Sequence, residues 1–379
     1  MAPPRRRSRP PLPHDAVFEI LLRLPAKDLC RLRAVCRRWR SLLSDPHFIA
    51  AHAASHPGPH IVAGYHPSGG VLCDIMDLSG RLVKRIPAPT DDDWVMSAQL
   101  DLIYTIRGPS RSCRLLNPAT GAVLALPEEL AEEHAGLEVD IRDCGVGIAF
   151  GQLSTGEYKV LRVLHNTEFS HYKQLCEVIT IGGGRSDARW RGKKPSPDPV
   201  DVSQWSIVAV NGVAYLFTNE VAQDLDIRQK RIASFDLATE EWRATLRGPP
   251  ICLVGDTFGV PGYHIDCTHF LLAALNGCLA VVHSFYYHSM DLWFLMDFEE
   301  GLWVKQHSIQ IESSCWMHHI VRPVLVLGDG RIVAYTAARG LLSIYDPRTN
   351  TCTDLAEIEH YSTIGLYTGN LLSLANGAS

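Results

Sequence analysis

Hydrophobic residues fall at steps of three and four near the start of the chain and at steps of two after residue 61, which predicts helices followed by strands. In "LPHDAVFEILLRLP", Val17, Ile20, Leu21 and Leu24 share one stripe, with Pro13 at the first helical position, Asp15 in the first turn and Pro25 as the stop. Asp28 can cap a second helical stretch whose stripe is Leu29, Leu32, Val35/Cys36, Trp39 and Leu42/Leu43, and "SDPHF" at 44–48 closes the unit with a further cap and breaker. A unit of this size cannot bury all of these side chains in its own core, so part of the stripe is left for a partner.

Beyond residue 61 one pattern recurs: an apolar strand, an Asp or Asn, a polar turn, and an apolar residue six positions on. It reads "DLSGRLV" from Asp77, "NPATGAV" from Asn117, "GRSDARW" from Gly184, "DLATEEW" from Asp236 to Trp242, "DFEEGLW" from Asp297 to Trp303 and "DPRTNTC" from Asp346. The Asx side chain caps the turn, Gly121, Gly301 or Asn350 tolerates a left-handed backbone, and the return strand brings a large apolar residue against its neighbour. In three copies Val83, Val123 and Cys352 stand where the others carry tryptophan. An Asn-Gly or Asp-Gly turn feeding a buried strand precedes several copies, in "VNGVAYLF", "LNGCLAVV" and "GDGRIVAY", which makes about four strands per unit. The six units are spaced by 40, 67, 52, 61 and 49 residues, and the long gap leaves room for insertions such as "RGKKPSPDPVD". Four-stranded repeats at such spacing predict a β-propeller of about six blades, with six to eight compatible and a β-sandwich as the alternative.

Charge separates the two regions. Residues 1–44 hold eleven Arg and Lys against three Asp and Glu, a balance of +8, so the rest of a chain of net charge -5 carries -5 - 8 = -13. The basic helices admit a nucleic-acid reading, but Arg37, Arg38 and Arg40, with Arg31, lie on the flank opposite the apolar stripe, where a solvated face is the plainer explanation. Residues 1–11, with "RRRSR", read as a disordered basic arm or a nuclear address. No secretory signal or membrane span is expected, and the eleven cysteines, an odd number without a CxxC pair, are expected to be reduced thiols in a cytoplasmic or nuclear protein.

Catalytic and ligand-binding patterns are absent from the sequence. "GGGR" at 182–185 lacks the ending of a phosphate loop, and "CWMHH" at 315–319 lacks a second ligand pair at zinc spacing. Ser154 in "GQLSTG" lacks the frame of a nucleophile elbow, and Asp91-Asp92-Asp93 reads as a solvated loop. No cofactor, metal or enzymatic activity is expected.

The first segment resembles an F-box, the motif by which one subunit of a ubiquitin ligase grips a Skp-type adaptor. The matching residues are Leu12-Pro13, Asp15, Ile20-Leu21, Leu24-Pro25, Leu29, Arg31, Val35-Cys36, Trp39, Leu42-Leu43 and the trailing "SDPHF". The remainder resembles the F-box-associated, kelch-like repeat domains of plant F-box proteins, including the ending "GLYTGNLLSL". The resemblance implies an α+β, multidomain chain: an all-α F-box unit at 12–55, a linker at 56–60 and an all-β, propeller-like substrate-binding domain at 61–379. It further implies adaptor contacts through Leu12, Pro13, Asp15, Ile20, Leu21, Leu24, Pro25, Leu29, Val35, Cys36, Trp39 and Leu42. Asn117, Asp236, Trp242, Asp297, Trp303 and Asp346 would be structural positions in the blades. Such a protein would be the substrate-recognition subunit of a Skp–cullin–F-box ligase, bound to the adaptor and through it to the cullin, presenting an unidentified target protein without itself catalysing transfer. The alternatives are a nucleic-acid-binding regulator led by its basic head, and a propeller enzyme with a helical appendage, which would need convergent ionisable groups in its channel.

Overall fold

A computed structural model describes residues 13–24, 28–29, 32–55, 58–65, 70–90, 92–100, 102–108, 112–119, 121–137, 144–155, 157–166, 174–181, 189–203, 205–221, 230–251, 268–285, 289–310, 321–337, 340–358 and 363–368. Among the described residues, three short helices, α1 (His14–Leu22), α2 (Arg37–Leu43) and α3 (Pro46–Ser55), precede twenty-five strands arranged in six antiparallel sheets. The sheets are the blades of a six-bladed β-propeller, as the repeat count predicts.

Blade II holds β4 (Asp93–Gln99), β5 (Leu102–Arg107), β6 (Cys113–Leu116) and β7 (Val123–Ala125), in that order from channel to rim. Blade III repeats this with β8 (Cys144–Gln152) to β11 (Arg191–Lys193), and blade IV with β12 (Ile207–Val210) to β15 (Glu241–Trp242) plus β16 (Leu246–Arg247). Blade V runs from β17 (Thr268–Leu275) to β20 (Leu302–Gln310) and blade VI from β21 (Val321–Val326) to β24 (Thr351–Glu357). Blade I is composite. Its three outer strands, β1 (His60–Gly64), β2 (Val71–Met76) and β3 (Leu82–Pro87), come from the start of the propeller, and its innermost strand, β25 (Thr363–Tyr367), from the end. The ring is thus closed by pairing of distant segments, with His60 opposite Tyr367 and Gly64 opposite Thr363. Thr363 adds a hydroxyl bond of 2.8 Å to the carbonyl of Val95 in blade II. Closure leaves no sheet edge at the seam.

Each interface between neighbouring blades is filled by its own apolar cluster, because one sheet cannot bury both faces alone. Leu161, Val163 and Val178 of blade III meet Leu216 and Phe235 of blade IV, and Phe217 and Ile232 of blade IV meet Val281 and Trp303 of blade V. The cluster between blades I and II continues into the helices, where Leu21, Leu29, Leu43 and Phe48 join it. The helices and the ring are therefore packed together.

The recurring Asx positions open the hairpins between the third strand and the rim. Asp236 Oδ1 accepts from the amides of Ala238 at 2.8 Å and Thr239 at 3.1 Å; Asn117, Asp297 and Asp346 accept from amides two or three residues on at 2.9, 3.0 and 2.9 Å. Asp77 does the same in blade I, accepting from Ser79 and Arg81; Gly184 lies outside the described residues. Asn211-Gly212 and Asn276-Gly277 both hold positive φ, the geometry of a tight two-residue hairpin, so that Val210 pairs with Val213 and Leu275 with Cys278.

Several local expectations are corrected. Pro13 occupies the position before the first helical residue. The stretch from Asp28 to Leu43 is not one helix: Cys36 is extended, with φ -158° and ψ 163°, and restarts the helix with its Sγ accepting from Trp39 N at 3.5 Å. "SDPHF" does not close the helical unit but starts α3, where Asp45 Oδ1 accepts from His47 N at 2.7 Å and Pro46 takes the first turn. "RGK" at 191–193 is the rim strand of blade III rather than part of an insertion. Asp93 is buried, not solvated, and lies 3.3 Å from Arg107 and 3.8 Å from Arg114.

Candidate functional site

The helical unit sits at one mouth of the central channel. Arg23 and His52, with Gly58 and Pro59 of the connection to blade I, line the opening beside the Asp77 hairpin. This is the face that carries the tight turns between first and second strands, including Asn211-Gly212 and Asn276-Gly277.

Inside the helical unit, Phe18 meets Phe48 edge-on at 5.0 Å between ring centroids, and Leu21, Leu29 and Leu43 are fully buried around them. Two polar contacts lock the arrangement. Arg33 donates from Nε and Nη2 to the carbonyl of Leu43 at 3.2 and 2.7 Å, satisfying an open end of α2, and His52 Nε2 lies 3.0 Å from the carbonyl of Leu24. Neither residue stands out in the sequence, since the bond of Arg33 spans ten residues and that of His52 twenty-eight.

With that core satisfied, an apolar surface remains. Ile20 is 51% exposed and Val35 62% exposed; Cys36 is exposed beside Val35, and Trp39, Leu42 and Leu24 are half-buried. Pro13 and Asp15 are exposed at the start of α1, and Arg37, Arg38 and Arg40 are solvated. Leu21 and Leu29 stand apart from the other expected contact residues, since both are internal and support the surface rather than form it. Leu12, Pro25 and Arg31 lie outside the described residues. Among the described residues of the helical unit, Ile20 and Val35 are the large apolar side chains left exposed.

The channel, a cavity of about 1300 Å³, brings together no catalytic constellation among the described residues. Its one carboxylate, Asp77, is 2.9 Å from Arg81 and also holds its hairpin; burial favours the neutral acid, but these hydrogen bonds outweigh it and lower the pKa. "CWMHH" and "GGGR" lie outside the described residues, and among those described no cluster of His, Cys, Asp and Glu could hold a metal. No helix there is long and apolar enough to cross a membrane. Cys36, Cys73, Cys113, Cys144, Cys176, Cys278 and Cys352 are free thiols.

A fully buried charge pair among the described residues also carries no obvious sequence signal. Arg162 and Glu177 face each other across the middle strands of blade III, with Arg162 Nε 2.9 Å from Glu177 Oε2. Glu177 Oε1 further accepts from Ala131 N at 2.8 Å and lies 2.9 Å from His134 Nδ1, so the pair fastens the connection from blade II. Its trace in the sequence is one charge of each sign set in the apolar runs "VLRVL" and "QLCEVITI".

Comparison with known proteins follows this division. A model of the F-box domain matches residues 11–50, and one of the F-box associated beta propeller domain matches residues 88–363. Two similar relatives come from Arabidopsis thaliana. F-box protein At3g07870 is 24% identical, over 91% of this chain and 87% of its own length; F-box/kelch-repeat protein At3g23880 is 26% identical, over 87% and 86%.

Proposed function

Since the chain belongs to the F-box proteins that carry an F-box-associated β-propeller, we propose that it is a substrate receptor of a Skp–cullin–F-box ubiquitin ligase, working in the cytoplasm or nucleus. The helical unit docks on a Skp-type adaptor, the adaptor joins it to the cullin, and the propeller holds a target protein. Ubiquitin is transferred by other subunits, and this chain contributes proximity.

The observation that carries the reading is that Ile20 and Val35 stand exposed while Leu21, Leu29, Leu43 and Phe48 form the buried core of the helical unit. Because the helices occupy one mouth of the channel, the opposite face of the ring is left for a target.

The test is adaptor binding by the full chain. Val35→Asp should weaken it by about tenfold or more, as loss of a buried anchor does, with the melting temperature little changed because Val35 is 62% exposed in the free chain. Arg37, Arg38 and Arg40 replaced together by Gln should change it little, exposed charges contributing ~0–1 kcal/mol each. Undiminished binding by the Val35 variant would overturn the docking face; a steeply salt-dependent complex with DNA or RNA, lost in the Arg variant, would favour the nucleic-acid reading.

A further inference from the structure

The channel is lined by a cation, Arg322, that no carboxylate pairs with among the described residues. Arg322 is the second residue of β21, the innermost strand of blade VI, and lines the cavity. Its guanidinium carbon stands 3.6 Å from the centroid of the Trp205 ring. Trp205 belongs to the connection entering blade IV, and its carbonyl accepts from Leu272 N of blade V at 3.0 Å. The two side chains therefore meet over the inner strand of blade V, at the end of the channel away from the helices.

Arg322 differs from the other enclosed arginine. Arg162 is paired with Glu177, whereas no carboxylate among the described residues pairs with Arg322. Burial penalises its charge, opposed by Tyr335, yet a guanidinium stays protonated at any ordinary pH. The indole covers one face of the planar group and fixes its plane. The edge, with its fork of N–H donors, is the part that matches a carboxylate or phosphate in two parallel hydrogen bonds.

The rest of the cavity suits the body of such a ligand. Ala98, Ala209, Ala273, Val324 and Ile364 give it apolar walls, and about 1300 Å³ is ample beside the ~300–1,000 Å³ of ordinary small-molecule sites. At the other mouth stand Arg23 and the Arg81–Asp77 pair, so the described lining carries three arginines to one carboxylate, +2, within a chain of net charge -5. A channel of opposite sign to its surroundings draws anions inward.

We propose that the propeller channel binds a small organic anion, a carboxylate or phosphate on an apolar body, gripped by Arg322 against Trp205. The site stands independently of adaptor docking, which its test does not read.

Phenyl phosphate and phenylacetate serve as probes of the full chain, with phenylacetamide as the uncharged match, followed by tryptophan fluorescence and calorimetry. One or both anions should bind saturably, the difference between them showing which anion the fork prefers, and the amide should bind at least about tenfold more weakly. Arg322→Met should abolish the preference for the anion without lowering the melting temperature of the free protein, because it removes a desolvated charge that no described carboxylate offsets. Arg322→Lys should retain part of it, keeping the charge but not the fork. Arg189→Gln, on an exposed pair with Glu132 at the rim, should change nothing. Equal binding of amide and anions, full anion binding by Arg322→Met, or no saturation by either anion up to ~10 mM would each overturn the site.

Discussion

Trp303, in the rim strand of blade V, donates its indole N–H to the carbonyl of Arg247 at the end of blade IV, at 2.8 Å. The same bond recurs one blade back, from Trp242 to the carbonyl of Lys194 at 2.8 Å, and again from Trp190 to that of Pro127 at 2.8 Å. Each indole is packed in the cluster shared with the preceding blade. The tryptophan ending of the repeat is thus an inter-blade staple: its ring fills the gap, and its single donor satisfies a carbonyl past the end of the neighbouring rim strand.

Removing a staple should cost in proportion to its burial. Trp303 is buried and Trp242 half-buried, so Trp303→Ala should destabilise the propeller by ~3–5 kcal/mol and Trp242→Ala by less. Trp303→Phe keeps most of the filling and should lose ~1–3 kcal/mol, the cost of the orphaned Arg247 carbonyl together with a small void. Chemical denaturation of the three variants orders them directly. Equal midpoints for Trp303→Ala and the parent would show that the indole is not what joins the blades.

The staple was half visible in the sequence. The Asx-to-apolar spacing exposed the hairpin, because a capped turn and a returning side chain are local and leave a fixed interval. The acceptor was not visible, since Lys194 and Arg247 offer backbone carbonyls whose position depends on the blade before. Val83, Val123 and Cys352 occupy the equivalent slot with no N–H to give, and Val123 is 52% exposed, so those blades lack the staple. In the helices the stripe was read as continuous; the break at Cys36 escaped notice because an extended cysteine has no sequence signature of its own. Arg322 was unmarked for a similar reason, being one charge in a strand whose neighbour Trp205 comes from another blade.

The blade IV hairpin carries a pH dependence. Glu240 sits at φ 59°, where the copies from Asn117, Asp297 and Asp346 have Gly or Asn, and its carboxylate is held by Lys159 at 2.7 Å, Lys193 at 2.6 Å and Arg191. Burial favours the neutral acid, but the three cations outweigh it and bring the pKa from 4.5 to about 2. A carboxyl depressed in the folded state stabilises above its unfolded pKa, and loses that contribution as pH falls from about 4.5 toward 2. Glu240→Gln should therefore cost ~1–2 kcal/mol near neutral pH, allowing for solvent screening, and the gap from the parent should close over that acid range. A gap independent of pH would mean that the cations do not hold the carboxylate. Glu240→Gly, which also relieves the left-handed strain by ~1 kcal/mol, should be the milder change.

Closure of the ring makes the last prediction, because its seam depends on backbones that approach too closely for a side chain. A Cβ placed on Gly365, in the middle of β25, would lie 2.6 Å from the carbonyl oxygen of Ala98 and 2.8 Å from its Cβ, and the first of these is main chain of blade II that cannot rotate away. Gly365→Ala must push β25 from β4, straining both the pairing with β1 and the Thr363 bond to Val95. The expected cost is ~1–3 kcal/mol, the range for forcing atoms into a packed interior. Gly121→Ala provides the comparison: it stands at φ 75° with nothing near its Cβ, so it carries backbone strain alone. Hydrogen exchange separates the two, since a fault at the seam should raise exchange at Ile364 and Leu366 and at their partners in β1, while blades III to V keep their protection. Should Gly365→Ala leave exchange at the seam unaltered, the ring would be closed by other contacts, and the approach of β25 to β4 would be incidental to its stability.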